Sequence, residues 1–498
     1  MEKWKYSLMA FAVVALTACG GGGDDDDSPA PAPSPTPTPS PAPGSNILDV
    51  TQVDGRRFTK SSAATGIKTV VAQQAVSAPT IELGALPEAD TYVDYGPGKA
   101  VRVAAAREVT QTQTAAATRS ALAWSRNATG QYVGSIGFQA DGAYGLRVGL
   151  RVASLPDGAV VQVATATSDT VVFETSGADI NAALARNVAA GETGAAAQTW
   201  WTPKLSGDRV VVSIALPLGA DPAALDVSIP QVSHVFADVD ALAMQEASSA
   251  KDVGDSEACE LDVTCYTNGQ NERDAVARML YQKGGDGYYC TGTLLNDAVK
   301  SSKPYFITAN HCISTQASAS SLQTDWFFRT SSCNNGRLSA SSASRYKGAT
   351  LLWSQTINDM TLLRLNEDPP SGVWLAGWDA STQSLQAVYD IHQPMGDLAK
   401  ISGGSMASYA VCDLNAQCSN TNTSSAPFYQ VKWSDGTTEG GSSGSGLLKL
   451  SSGQLIGTLY AGSASCSNQG GSDYFGRLDW GFNNGINRWL AAADPSKL

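Results

Sequence analysis

Only three histidines occur in this chain, His234, His311 and His392, so proton transfer through imidazole has few places to happen. His311 closes the run Tyr305-Phe306-Ile307-Thr308-Ala309-Asn310-His311-Cys312, where an apolar strand leads into a small-residue turn. Asp359 stands before a second strand-like run, Met360-Thr361-Leu362-Leu363-Arg364-Leu365. The stretch Gly440-Gly441-Ser442-Ser443-Gly444-Ser445-Gly446 then sets three serines among four glycines. Glycine admits positive φ and lets backbone N–H groups approach a ligand. A serine held in such a turn can present its hydroxyl beside two free N–H groups, the local requirement for a nucleophile with an oxyanion hole. Taken singly, these features also read as a strand-end histidine, a turn acid and a flexible Gly/Ser loop.

Their order is more informative than any one of them. In the sequence His311, Asp359, Ser443 they form a possible triad: Ser443 attacks a carbonyl, His311 takes the proton and later returns it to the leaving amine, and Asp359 orients the imidazole. The N–H groups of Gly441 and Ser443 are the candidate oxyanion donors. The same loop also fits a nucleophile elbow centred on Ser442, but that scaffold places its histidine after the serine. No histidine follows His392, which removes that alternative. An order with Asp before His fits less well.

Thr308-Ala309-Asn310-His311-Cys312, Asn358-Asp359-Met360-Thr361-Leu362-Leu363 and Gly441-Ser442-Ser443-Gly444-Ser445 resemble the three signatures of chymotrypsin-fold serine proteases. Within that group the resemblance is to the bacterial lysyl endopeptidase branch. It runs from about Cys259 to the C-terminus and includes Cys290-Thr291-Gly292-Thr293-Leu294, Leu375-Ala376-Gly377-Trp378-Asp379 and Ser472-Asp473-Tyr474-Phe475-Gly476-Arg477. It implies an all-β catalytic domain of two six-stranded barrels with the site between them, and no metal or cofactor. It also implies the pairs Cys259–Cys466, Cys265–Cys333 and Cys290–Cys312, which leaves Cys412 and Cys418 to pair with each other. Asp473 falls on the position whose carboxylate binds the substrate ammonium in that branch, so the expected substrates are proteins or peptides with Lys, or Lys and Arg, at P1. The branch carries a histidine in the strand after the serine where this chain has Tyr460, and its stacking tryptophan has no obvious match near Cys412. Lys and Arg therefore both stay open. His392 lies in a matched stretch, Ile391-His392-Gln393-Pro394, without an assigned role. Trypsin-type enzymes place an aspartate before the nucleophile to receive a new N-terminal amine. Ser442 stands there instead, so the oxyanion turn is expected to form without that ion pair.

The remaining chain must export and position this site. It has 498 residues, 16% of them charged, and a net charge of −13. It lacks the basic footprint of a nucleic-acid binder. Residues 1–19 read as an export signal, with Lys3 and Lys5 before a short apolar core from Leu8 to Leu16. The end, Leu16-Thr17-Ala18-Cys19, resembles a bacterial lipoprotein signal, which implies lipidation of Cys19; Gly20 after it suggests the outer membrane. Residues 20–45, rich in Gly, Asp and Pro, cannot form a core and read as a tether.

Residues 46–251 contain no cysteine and show period-2 runs. In Gly145–Val152, Leu146, Val148, Leu150 and Val152 alternate with Arg147 and Arg151, as in a half-buried strand. A β-sandwich is the expected fold, with Trp200-Trp201 as core packing and His234 as structural. By the resemblance this region is a propeptide, a partner for the protease domain at 252–498. Lys251, in what looks like an exposed linker, is the expected processing site. The different reading is a cell-surface binding or adhesion protein that carries a protease-like domain. The C-terminal stretch Gly485–Ala493 reads as a helix with Ile486, Trp489 and Leu490 on one face.

Overall fold

A computed structural model describes residues 47–60, 67–69, 78–91, 99–165, 171–237 and 256–498. Residues 1–44 form a separate unit from 45–498. The signal, Cys19, the tether and Lys251 all lie outside the described residues.

The all-β reading holds. In the strand Gly145–Ser154, Leu146, Val148 and Leu150 are wholly buried. This strand pairs with Asp226–Val235, which pairs with Val101–Glu108. A second sheet contains Val160–Thr165, Arg209–Ala215 and Tyr132–Gln139. Val161, Val163, Val212 and Ile214 of that sheet share one core with Leu146, Val148 and Leu150 of the first. Each such side chain contributes about 1.5–3 kcal/mol by leaving water, so alternation alone is enough to bring two sheets face to face. A helix, Gly177–Ala189, covers one end; the Ser176 hydroxyl caps it by accepting the Asp179 N–H, and Ile180 and Leu184 turn inward. Trp200 stacks on Phe173 with ring centroids 6.3 Å apart, and His234 is buried in its strand.

The other face of Gly145–Ser154 does not meet water as its pattern suggests. Arg147 is only 2% exposed. Its Nε donates to the Thr202 carbonyl and its Nη2 to the Ser321 carbonyl, each at 2.7 Å, and burial pushes its pKa down to about 9. The cause is the chain from residue 256 onward, which lies against this face. Val101–Glu108 pairs with Asp286–Leu295, so one sheet runs through both regions. Strand addition of this kind removes two open edges at once. Residues 47–58 also lie on the C-terminal region. Gln52–Val53 pairs with Trp378–Asp379, Arg56–Arg57 pairs with Trp374–Leu375, and Phe58 is buried among Met279 and Phe306.

The second half of residues 256–498 holds a closed ring of six antiparallel strands. In order they are Ala387–His392, Lys400–Cys412, Phe428–Asp435, Asp473–Arg477, Leu455–Gly462 and Gly446–Lys449, which returns to the first. Val388, Met406, Tyr429, Val431, Leu447 and Phe475 fill it. The first half is a run from Ala343–Arg345 through Gln323–Trp326, Val276–Lys283, Asp286–Leu295, Tyr305–Ala309 and Met360–Leu365 to Ala349–Gln355. Against its last strand the Gln316 side chain donates to the Ala349 carbonyl and accepts the Leu351 N–H.

Four disulfides cross-link this region: Cys259–Cys466, Cys265–Cys333 and Cys290–Cys312, the pairs that the resemblance implies, and Cys412–Cys418, the pair left over. The C-terminal helical stretch begins earlier than its periodicity suggests, at Leu478, and is interrupted at Gly485, which has φ of +140°. Ile486 and Leu490 are buried as expected.

Candidate active site

His311 and Asp359 meet because two strands share a register. Tyr305–Ala309 pairs with Met360–Leu365, with Ala309 opposite Met360. One step further, the Asn310 N–H donates to the Asp359 carbonyl at 3.1 Å. Asp359 takes φ of +45°, a conformation that aspartate tolerates better than most residues. Its carboxylate then receives His311 twice. Oδ1 accepts the backbone N–H at 2.8 Å, and Oδ2 lies 2.7 Å from ring Nδ1. A carboxylate can only accept, so Nδ1 carries the proton and Nε2 is left as a base. The Cys290–Cys312 disulfide ties the turn to the neighbouring strand. Its Cys312 sulfur lies 3.7 Å from His311 Nε2 and 3.8 Å from the Ser443 carbonyl oxygen.

The Gly440–Gly446 stretch is a turn with most of its polar groups committed. The Ser442 N–H donates to Glu439 O, the Ser445 N–H to Ser442 O, the Gly444 N–H to Leu459 O, and the Thr291 N–H to Ser443 O, at 2.9–3.1 Å. Among the described residues the Gly440, Gly441 and Ser443 N–H groups have no acceptor, and Gly441 and Ser443 are the two that flank Ser442. Gly441 and Gly444 hold φ of +89° and +84°. Ser442 is wholly buried and Ser443 is 6% exposed, which separates the two serines by access.

A Cβ on Gly444 would sit 2.2 Å from Thr308 Oγ1. Gly444→Ala is therefore expected to cost about 1–3 kcal/mol through overpacking and the positive φ, read as a lower thermal midpoint of the full chain. Gly403→Ala, with nothing within 4 Å of its Cβ, is the control and should leave the midpoint almost unchanged.

Asp473 lies on the strand that pairs with Leu455–Gly462. Its Oδ2 accepts Trp433 Nε1–H at 2.5 Å and the Thr438 hydroxyl at 2.7 Å, so it sits under the segment that leads to Ser443. Among the described residues its Oδ1 has no partner at hydrogen-bond geometry, although the Ala464 backbone lies near the carboxylate. Burial raises its pKa to about 6, with the Trp433 and Thr438 hydrogen bonds acting in the opposite direction. A Cβ on Gly462 would come within 1.7 Å of that free oxygen, so only glycine leaves it room.

Tyr460 sits between His311, at 6.0 Å between ring centroids, and the hairpin closed by Cys412–Cys418. Its hydroxyl donates to Asp413 O at 2.7 Å and accepts the Ala416 N–H at 3.2 Å.

Three supports of the turn carry no motif in the sequence. The Met395 N–H donates to Gly440 O at 2.6 Å, and Arg278, paired with Asp325, donates to Gly396 O at 2.9 Å. The third is His392, wholly buried against Ser442. The two clusters with metal-like spacing, Cys290/His311/Cys312 and Glu257/Glu439/Cys466, each include cysteines held in disulfides, which have no thiolate to offer.

The family model for the lysyl endopeptidase C-terminal domain matches residues 253–476, and that for the lysyl endopeptidase N-terminal domain matches residues 75–236. A lysyl endopeptidase of Pseudomonas aeruginosa is 33% identical over 389 residues, which span 74% of this chain and 78% of that protein. Secreted RxLR effector protein 73 of Plasmopara viticola is 34% identical over 103 residues, 20% of this chain and 24% of that protein. Among solved structures, the MamO protease domain of Magnetospirillum magneticum aligns with 12% identity and a TM-score of 0.30, over 43% of this chain and 97% of that one.

Proposed function

The chain belongs to the lysyl endopeptidase family, as an exported serine protease, and from that premise we propose that it hydrolyses peptide bonds after Lys, or after Lys and Arg, through His311, Asp359 and Ser443. The observation that carries this reading is the Asp359–His311 pair, 2.7 Å apart, beside a turn whose Gly441 and Ser443 N–H groups lack acceptors.

In the proposed cycle Ser443 Oγ attacks the scissile carbonyl carbon while His311 Nε2 takes its proton. Asp359 stabilises the imidazolium that forms and keeps it in the productive tautomer. The carbonyl oxygen becomes an oxyanion and takes hydrogen bonds from Gly441 and Ser443 N–H. The intermediate collapses as His311 delivers its proton to the leaving amine, which leaves an ester on Ser443. His311 then takes a proton from water as its oxygen attacks the ester, and the second intermediate collapses as His311 returns that proton to Ser443 Oγ and the acid product leaves. No step needs a metal or cofactor.

The free Asp473 oxygen supports a cationic P1 side chain: a buried carboxylate is costly alone and is offset by an entering ammonium or guanidinium. Tyr460 is placed to wall the cleft between His311 and the hairpin. A peptide library varied at P1 tests this. Cleavage is expected after Lys, or Lys and Arg; cleavage after Glu or large apolar residues would overturn the Asp473 assignment.

The same proposal takes residues 1–19 as a signal with lipidation at Cys19, 20–45 as a tether to the outer membrane, 46–251 as a propeptide and 252–498 as the protease. The match of residues 75–236 to the family's N-terminal domain supports that division. Processing after Lys251 would release the protease from the membrane, and N-terminal sequencing of active protein tests that site.

A further inference from the structure

Ser442 stands where a trypsin-type enzyme would need an aspartate and a newly made amine, and every polar atom it has is committed inward. Its N–H donates to Glu439 O and its carbonyl accepts the Ser445 N–H. Its hydroxyl oxygen accepts the Glu439 N–H at 3.2 Å and lies 2.7 Å from His392 Nδ1.

The direction of that last bond follows from the other side of the ring. The Ser402 hydroxyl donates to the Thr437 carbonyl, which can only accept. Having used its one proton, Ser402 Oγ accepts from His392 Nε2–H at 3.2 Å. Nδ1 is therefore the bare nitrogen, and it takes the Ser442 hydroxyl proton as acceptor. His392 reaches this place from the strand Ala387–His392, fifty residues before Ser442. A second group faces the ring: Glu260, next to the Cys259–Cys466 disulfide, lies 3.7 Å from Nε2, and among the described residues neither of its oxygens has a hydrogen bond. Burial, then Glu439, pushes the Glu260 carboxyl well above its usual range, while burial, then Lys400, pushes His392 down to about 3. The ring is thus neutral, which agrees with the tautomer deduced from Ser402.

We propose that His392 is a positioning residue: by accepting the Ser442 hydroxyl at Nδ1 it locks the turn whose two flanking N–H groups, Gly441 and Ser443, hold the oxyanion. This rests on the assignment of Ser443 as nucleophile. It explains how the turn is built in the uncut chain, where no new N-terminal amine exists. A hydroxyl with a buried imidazole partner replaces a carboxylate with a buried cation, so no charge has to be created to set the turn. The contribution is to kcat, because the flanking N–H groups act on the oxyanion and not on the ground-state carbonyl.

The test uses the full chain, processed as it is made. A fluorophosphonate first labels the wild type; absence of label on Ser443 overturns the nucleophile assignment and the role of the turn with it. With Ser443 labelled, His392→Phe keeps the ring volume but removes the acceptor. Its kcat is expected to fall by about 10- to 100-fold with KM within about twofold, somewhat less than the loss of a whole oxyanion donor. His392→Asn returns an acceptor near Nδ1 and should recover most of that loss. Ser442→Ala should match His392→Phe, and the double variant should lose nothing further, because both act through one hydrogen bond. Wild-type kcat in His392→Phe, or losses that multiply in the double variant, would overturn the proposal. Should His392→Phe fail to fold, wild-type kcat in Ser442→Ala overturns it equally.

Discussion

Ser443→Ala is expected to lower kcat by about 10⁵- to 10⁶-fold with little change in KM, the scale of losing the nucleophile from a triad that works as a unit. The neighbouring serine cannot take over. Ser442 is wholly buried, and its hydroxyl is held between the Glu439 N–H and His392 Nδ1. Steady-state hydrolysis of a lysyl ester, corrected by active-site titration, measures the loss. Residual activity within a hundredfold of wild type would place the nucleophile elsewhere. The same variant reports on maturation: if the enzyme cuts its own linker, Ser443→Ala accumulates as uncut chain, and processing at the wild-type rate would assign that cut to another protease. The contrast with Ser442→Ala, expected to be milder by several orders of magnitude, separates the residue that reacts from the one that holds the turn.

Asp473→Asn should reduce kcat/KM for P1-Lys substrates by about 10²- to 10⁴-fold, the range for deleting one partner of a buried charge pair. Substrates with a neutral P1 residue should change far less. Asn keeps acceptors for Trp433 and Thr438 but cannot neutralise an ammonium. The pH dependence has a definite sign. In the free pocket burial holds the Asp473 pKa up to about 6, so the carboxyl is charged above that pH and neutral below it. KM for P1-Lys should therefore rise as pH falls below about 6, and this limb should vanish in Asp473→Asn. Stability moves the opposite way. A carboxyl raised from 3.8 to about 6 by folding is a cost present above its folded pKa and absent below its unfolded one. At about 1.4 kcal/mol per pKa unit this is about 2–3 kcal/mol at pH 8. Asp473→Asn should thus melt higher than wild type at pH 8 and at nearly the same temperature at pH 3. A variant less stable at pH 8 would show that the carboxylate has a cation or bond of its own in the free enzyme.

The sequence by itself determined the elements and the order of the candidate site. Alternating Leu146, Val148, Leu150 and Val152 can bury one face only as a strand, and these four are buried. The absence of a histidine after Ser443 excluded an elbow scaffold before any fold was known. What it could not supply were contacts between segments far apart in the chain. Arg147 reads as solvent-facing because alternation says which face is polar, not what will cover it; the strand pairing of Val101–Glu108 with Asp286–Leu295 brings up the Ser321 carbonyl that it binds. Tyr460 reads as a substitution in a motif, while its tie to the Asp413–Ala416 tip of a disulfide-closed hairpin needs the folded ring. His392 is the sharpest case. Nothing in Ile391-His392-Gln393-Pro394 points to Ser442, because a hydrogen bond across fifty residues is set by sheet register and not by local pattern. Residue type and spacing fix which groups can react; only the packed barrel, by leaving Ser442 a single buried acceptor and two neighbouring N–H groups none, decides how they are held.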